Sequence, residues 1–257
     1  MPSNAGTLIP CLPQASVHAS AGLALFLDLD GVLAPMASTP DAVVADPRRT
    51  RILQTLDRAL DGRLAVISGR TLSEIDRITG GAARSAAGVH GLQRRRRDGS
   101  TATIEPSAGV AAAVEAFRAF AETHPGMIVE DKGVSAGLHY RAVPHVEAEA
   151  LALADVWAER AGLVAQPGKL VVELKTPGAD KGTALTAFMG EPAFADTMPV
   201  MLGDDLTDEA GFVAAEALGG FGILVGAPRE TAARYGLADV EAVLTWLEAV
   251  AMEAQPA

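Results

Sequence analysis

Two aspartates one residue apart, Asp28 and Asp30, flank Leu29 and are followed by Gly31. Carboxylates this close repel each other, and a cation is needed to compensate one of them. Mg²⁺ suits the position because it prefers oxygen ligands and usually keeps several waters. Asp204 and Asp208, in the stretch Gly203-Asp204-Asp205-Leu206-Thr207-Asp208, can supply further oxygens. The pair also permits a division of labour, in which one carboxylate attacks phosphorus and the other protonates a departing alkoxide. Taken alone, Asp-x-Asp-Gly reads equally as a simple turn. Ser68-Gly69 offers a small hydroxyl and an unhindered backbone N–H to phosphate oxygens, although the same dipeptide can simply cap a helix. Lys181, in Asp180-Lys181-Gly182, could neutralise both a phosphate and the aspartates, although an isolated lysine is ordinarily solvated surface.

Most of these residues stand where an apolar run stops. Leu23-Ala24-Leu25-Phe26-Leu27 ends at Asp28, Leu64-Ala65-Val66-Ile67 at Ser68-Gly69-Arg70, and Pro199-Val200-Met201-Leu202 at Gly203-Asp204-Asp205. Short runs of this kind read as strands buried on both faces. Further strand-like stretches cover 86–92 and 222–225, the latter taken as the last strand. Asp46-Pro47 supplies a helix cap and first-turn proline ahead of an apolar face of Ile52, Leu53, Leu56 and Leu60. The alternation predicts an α/β fold, a Rossmann-like parallel sheet with helices on both faces. Ligands bind outside the carboxyl ends of such strands, so the polar clusters should converge on one rim. The helix from Asp239 onward is read as packing, as are Trp157 and Trp246.

The middle of the chain breaks the pattern. Ser107 is placed to cap a helix with Val110, Val114 and Phe117; 127–141 reads as two strands around Gly133; 145–161 reads as a helix; and 163–175 contains another strand. Two or three strands backed by two helices make a smaller α+β unit. The expected organisation is a loose tail over 1–20, a core over 21–105 and 177–257, and an inserted cap domain over 106–176. Glu105-Pro106 and Pro177-Gly178 are the expected hinges. Strand parity over 169–175 puts Leu170, Val172 and Leu174 on one face and Lys169, Glu173 and Lys175 on the other. Glu130 alternates with Lys132, and His139 with Arg141, in the same manner.

Composition narrows the function classes. The 257 residues are 49% hydrophobic, enough for a sizeable core, and the net charge of −11 argues against a nucleic-acid partner. Cys11 is the only cysteine, so no intrachain disulfide can form, which fits a reducing, cytoplasmic compartment. No apolar stretch reaches the length of a membrane span, and no signal peptide is read at the start. The run Arg94-Arg95-Arg96-Arg97 before Asp98-Gly99 is read as a solvated hairpin arm.

The joint pattern of Asp28-Leu29-Asp30-Gly31-Val32-Leu33, Ser68, Lys181 and Gly203-Asp204-Asp205-Leu206-Thr207-Asp208 resembles the haloacid-dehalogenase superfamily at its four motif positions; Val32 stands where that family more often has Thr. Within it, Ser68-Gly69-Arg70, Gly88-Val89-His90-Gly91, Glu130-Asp131-Lys132-Gly133, His139-Tyr140-Arg141, Gly168-Lys169 with Glu173, and Asp180-Lys181-Gly182 resemble the trehalose-6-phosphate phosphatase family. The resemblance implies a Mg²⁺-dependent phosphatase acting on a sugar phosphate. Asp28 would be the nucleophile and Asp30 the acid and base. Ser68 and Lys181 would hold the phosphoryl group. The metal would be bound by Asp28, Asp30 through its carbonyl, and Asp204, with Asp208 close by. It also assigns Glu130, Lys132, Arg141, Lys169 and Glu173 to sugar or phosphate contacts. Arg70 and His90 are further substrate-binding candidates, Arg70 alternatively bracing its loop. The alternatives are a relative acting on sucrose phosphate or mannosyl-3-phosphoglycerate, and a non-catalytic sugar-phosphate sensor. A monomer is expected, with no membrane partner and with a trehalose-6-phosphate synthase as the one candidate protein partner.

Overall fold

The computed structural model of the chain describes residues 22–37 and 39–254, so Cys11 and the tail read over 1–20 lie outside the described residues. In chain order, β1 (Leu23–Leu27) is followed by α1 (Pro47–Ala59), β2 (Leu64–Ile67), α2 (Leu72–Thr79), β3 (Ser85–Gly88), β4 (Gln93–Arg95) and β5 (Thr101–Thr103). Next come α3 (Gly109–Glu122), β6 (Ile128–Asp131), β7 (Ser135–His139), α4 (Glu147–Ala161), β8 (Val164–Gly168) and β9 (Val171–Lys175). The chain finishes with α5 (Lys181–Met189), β10 (Met198–Gly203), α6 (Glu209–Ala217), β11 (Phe221–Val225), β12 (Tyr235–Leu237) and α7 (Val240–Glu253). It divides into two compact units, one made of the segments up to Ala102 and from Asp180 onward, the other of Thr103–Ala179.

The larger unit is built on a sheet of order β12-β11-β10-β1-β2-β3-β4-β5, parallel from β12 to β3 and antiparallel from β3 to β4. β1 lies near its centre and is buried along its whole length, so alternate residues must satisfy opposite faces. Leu23, Leu25 and Leu27 join a cluster with Ile52, Leu53 and Leu56 of α1, Ile75 and Ile78 of α2, and Val243 and Leu247 of α7. Ala24 and Phe26 face the other way, among Leu185 and Phe188 of α5 and Phe212 of α6. The helices therefore cover both faces. α1 begins as its sequence demands: the Asp46 side chain accepts from the Arg49 N–H at 2.8 Å, and Pro47 occupies the first turn.

Several expectations change. The strand read over 86–92 stops at Gly88, where the chain enters a short 3₁₀ turn, Val89–Gly91. β11 is followed by a further strand, β12, three residues long and too short to announce itself. The arginine run is not a solvated arm. Arg94 and Arg96 pair with Glu191 at 2.7 and 3.2 Å, Arg95 grips both oxygens of Asp76 at 2.7 Å, and Arg97 pairs with Asp57 at 3.1 Å. Arg94 also lies over the Phe188 ring, 5.4 Å from its centre. The four side chains clamp the hairpin edge to its own unit, a role that a run of like charges does not declare in sequence.

The smaller unit packs α3 and α4 on a four-stranded antiparallel sheet of order β6-β7-β9-β8. The expected two or three strands become four because the stretch 163–175 folds back on itself as a hairpin. Leu170 takes a left-handed backbone (φ 61°) at its tip. This breaks the parity argument for Lys169, which sits in the turn ahead of β9 and is exposed. Ser107 precedes the first turn of α3, and its hydroxyl accepts weakly from the Gly109 N–H at 3.4 Å.

Phe26, Phe188 and Phe194 form a ring cluster with centroids 5.6–6.2 Å apart. Phe26→Ala should destabilise the larger unit by about 3–5 kcal/mol, seen as an earlier urea midpoint by tryptophan fluorescence or circular dichroism.

Candidate active site

The parallel order β10-β1-β2-β3 puts the carboxyl ends of four strands side by side, and each delivers a polar cluster. Asp28 follows β1, its N–H donating to Leu202 O of β10 at 3.0 Å, so the nucleophile candidate is fixed by the sheet ladder itself. The chain then turns back: Leu33 and Ala34 N–H both donate to Leu29 O, and Gly31 adopts φ 80°. Glycine is required at 31 on a second count, since a Cβ there would lie 2.1 Å from Asp204 Oδ2.

Asp28, Asp204 and Asp208 offer carboxylate oxygens within 4.8 Å of one another. Lys181, the first residue of α5, reaches into the same place, 3.0 Å from Asp28 Oδ1 and 2.7 Å from Asp208 Oδ1, and is 2% exposed. Asp208 has both oxygens hydrogen-bonded, the second accepting from the N–H groups of Asp204 and Asp205 at 3.0 and 3.2 Å. It thereby shapes the loop after β10 and anchors Lys181.

The electrostatics follow from burial. Asp28 is pushed well above the usual carboxylate range, first by desolvation, with Lys181 pulling the other way and Asp208, Asp204 and Asp205 adding repulsion. Asp208 is raised as well, chiefly by burial. Lys181 is raised despite its burial, because Asp208 and Asp28 stabilise its charge. Asp205 is half-buried, and despite the desolvation that opposes it, it is held low by Lys181 and by two bonds from Thr207. One ammonium cannot balance this many carboxyls, and every donor is a hard oxygen. The cluster therefore fits a divalent cation. Asp30, by contrast, is not part of it through its side chain: both its oxygens accept from Arg70, at 2.7 and 2.8 Å.

Ser68 is buried at the end of β2, and its hydroxyl accepts from the Arg70 N–H at 3.2 Å. Val89 and His90 both have positive φ, 47° and 55°, uncommon for such residues and costly for β-branched Val. The turn is held by Val89 N–H to Arg70 O at 2.8 Å and His90 N–H to Ser68 O at 2.9 Å. It brings the His90 ring over Gly69, where a Cβ would fall 2.7 Å from Nε2.

The smaller unit has its own polar face. Glu130, Gly137, Glu173 and Gln166 stand in register across β6, β7, β9 and β8. Lys132 Nζ lies 2.9 Å from Glu173 Oε2 and 3.7 Å from Glu130 Oε2, and His139 Nε2 lies 2.9 Å from the same Glu130 oxygen. Ala136, Leu138, Val172 and Leu174 point oppositely, into the cluster with α3 and α4. Glu130, Lys132 and Glu173 are thus brought together, with His139 as a member that the sequence reading had placed only by alternation. Arg141 and Lys169 also meet, Arg141 Nη2 donating to Lys169 O at 3.1 Å.

Two supporting residues escaped the sequence reading. Arg49, on a helix otherwise read for its apolar face, is buried and donates to the carbonyls of Leu33 and Ile78, tying the loop after Asp30 to α2. Arg229 donates to Asp205 O at 2.7 Å and pairs with Glu209, bracing the loop after β10. Only the capping-type spacing of Asp205 with Thr207 and Asp208 hinted at that loop's rigidity.

The sequence model of the trehalose-phosphatase family matches residues 26–241. The trehalose-6-phosphate phosphatase of Escherichia coli (strain K12) is 40% identical over 237 residues, covering 90% of this chain and 87% of its own length. The C-terminal domain of C. albicans trehalose-6-phosphate phosphatase superposes with a TM-score of 0.82 at 21% identity, covering 95% of this chain and 99% of that one. A phosphatase of the haloalkanoate (HAD) enzyme superfamily from Bacteroides thetaiotaomicron gives a TM-score of 0.57 at 15% identity, covering 91% and 95%. These two likenesses establish a shared fold.

A cation bound at this rim stabilises the folded chain by mass action. At a hundredfold excess over its dissociation constant, Mg²⁺ should raise the melting temperature by about 5–10 °C. Asp204→Asn should melt higher than the unsubstituted chain in chelator, because one repulsive charge is gone, and should lose most of the Mg²⁺ response. Differential scanning calorimetry with and without EDTA reads both effects.

Proposed function

The chain belongs to the trehalose-phosphatase family and is a trehalose-phosphatase; we propose that it hydrolyses trehalose 6-phosphate to trehalose and phosphate through a phosphorylated Asp28, with Mg²⁺ as its cofactor. The observation that carries this reading is the meeting of Asp28, Asp204, Asp208 and Lys181 at one buried rim.

In the first step an Asp28 oxygen bonds to phosphorus as the bond from phosphorus to the sugar oxygen breaks, and Asp30 gives that oxygen its proton. In the second, Asp30 takes a proton from water, whose oxygen attacks phosphorus; the acyl phosphate breaks, and Asp28 is restored with release of phosphate. Lys181 and the Ser68 hydroxyl hold the phosphoryl oxygens. Asp28, Asp204, Asp208 and the Asp30 carbonyl would bind the Mg²⁺, which when bound supplies neutralisation of the charge on the transferring group. Aspartyl attack needs Asp28 as a carboxylate. A cation opposing Asp204 and Asp208 favours that form against its burial.

We assign sugar recognition to the smaller unit, through Glu130, Lys132, Glu173, Arg141 and Lys169, with His90 contributing from the core. Glu130, Lys132 and Glu173 already form a fixed polar row, and a sugar lacking the matching hydroxyls would leave its members unsatisfied. A monomer in the cytoplasm belongs to the same proposal, in keeping with a chain whose single cysteine excludes an intrachain disulfide. So does contact with the synthase that makes the substrate. No helix among the described residues is long and apolar enough to cross a membrane.

Phosphate release across a panel of sugar phosphates tests this reading. Trehalose 6-phosphate should exceed glucose 6-phosphate in kcat/KM by at least about 10²-fold, and parity would refute the substrate. Asp28→Asn should lose at least about 10⁴-fold in kcat while keeping its circular dichroism spectrum. Glu173→Gln should raise KM about tenfold or more with a smaller effect on kcat.

A further inference from the structure

Arg70 and Glu74 belong to the rim, and no step above uses them. Arg70 Nε donates to Asp30 Oδ2 at 2.7 Å and Nη2 to Asp30 Oδ1 at 2.8 Å, while Nη1 donates to Glu74 Oε1 at 3.0 Å. Glu74 is anchored in turn. Its Oε2 accepts from Thr71 N at 2.9 Å and from Thr71 Oγ1 at 2.8 Å, closing the capping box at the start of α2. The main chain of Arg70 is fixed as well, its N–H donating to Ser68 Oγ and its carbonyl accepting from Val89 N–H. A continuous chain of contacts therefore runs from the first turn of a helix, through Glu74 and the guanidinium, to the carboxyl of Asp30.

All three nitrogens of the guanidinium are thus committed to carboxylates of the same unit, and the side chain is only 12% exposed. An arginine held this way has a planar, two-point grip that sets both the distance and the plane of its partner. Asp30 is less enclosed, its side chain 24% exposed, and without that grip it is free to turn toward solvent. We propose that Arg70 and Glu74 are positioning residues that hold the Asp30 carboxyl in line with the departing sugar oxygen, and that Arg70 is not a substrate ligand. This rests on reading Asp30 as the proton donor. Two contacts matter more than one: when the proton-bearing oxygen turns to the leaving group, the other N–H···O bond remains as the pivot. General acid catalysis depends steeply on such placement.

The test compares two substrates. The sugar alkoxide of trehalose 6-phosphate needs a proton to leave, whereas the phenolate of p-nitrophenyl phosphate does not. Asp30→Asn serves as the reference. Arg70→Met should lower kcat on trehalose 6-phosphate by about 10–10²-fold with KM changed less than about threefold, and Arg70→Lys should recover part of the loss. Glu74→Gln keeps a residue able to close the capping box, so it should fold, and it should lose about three- to tenfold in kcat. On p-nitrophenyl phosphate, kcat/KM, which reports the steps through phosphorylation of Asp28, should fall at least about threefold less than on trehalose 6-phosphate in Arg70→Met, with the same selectivity in Asp30→Asn. A KM raised tenfold or more with kcat retained would make Arg70 a substrate ligand and overturn the inference. So would equal losses on both substrates in Arg70→Met while Asp30→Asn keeps its selective loss. If Asp30→Asn itself loses equally on both substrates, the reading of Asp30 fails and this inference falls with it.

Discussion

A single buried ammonium surrounded by carboxyl groups sets the terms for the whole rim. Lys181 touches Asp28 and Asp208, and Asp204 and Asp205 add to the negative field around Asp28. Burying an unbalanced charge in a low-dielectric place is costly. The cluster persists because the structure around it leaves the carboxyls little room to separate. Four strand ends are fixed by ladder hydrogen bonds, a glycine at 31 admits Asp204, and Asp208 is held by two backbone N–H groups. The excess of negative charge is therefore an arrangement looking for a cation, and phosphoryl transfer is chemistry that uses one.

Lys181 illustrates how far the fold departs from local preference to achieve this. It is the first residue of α5, where the helix dipole disfavours a positive side chain. Asp180 offsets part of that conflict by capping the same helix, accepting from Thr183 N–H at 2.7 Å. Asp28 and Asp208 supply the rest. Val89 and His90 repeat the lesson in the backbone, in a left-handed turn held by hydrogen bonds to Ser68 and Arg70. Local rules fail in this chain where residues are gathered for chemistry.

The same contrast explains what could be read in advance. The core strands were legible because five buried residues in a row, ended by aspartate, admit few other readings, and because parallel order alone sends Asp28 and Asp204 to one rim. What was not legible depended on pairing across sequence distance. Nothing near Arg94–Arg97 names Asp57, Asp76 or Glu191 as partners. Nothing in the apolar face of α1 reveals that Arg49 turns inward to carbonyls. Parity misplaced Lys169 because it assumes an unbroken strand, and Leu170 breaks it with one positive φ. The row of Glu130, Lys132 and Glu173 was recovered because β6 and β9 both register on Gly137, so that alternation within each strand held.

That row clarifies why recognition and chemistry can be assigned to different units. Two carboxylates lean on one lysine, and His139 joins them through Glu130. Gly137, between them in register, contributes no side chain, and the Glu130 and His139 side chains close over it, 3.6 Å from where a Cβ would lie. On the proposed reading, this surface is the one that meets the sugar hydroxyls. The rim around Asp28 has the opposite character, being matched to charge. Each unit has its own hydrophobic core, so either polar face can change without repacking the other. On the proposed reading, the reaction belongs to the rim around Asp28 and the choice of sugar to the separately packed sheet.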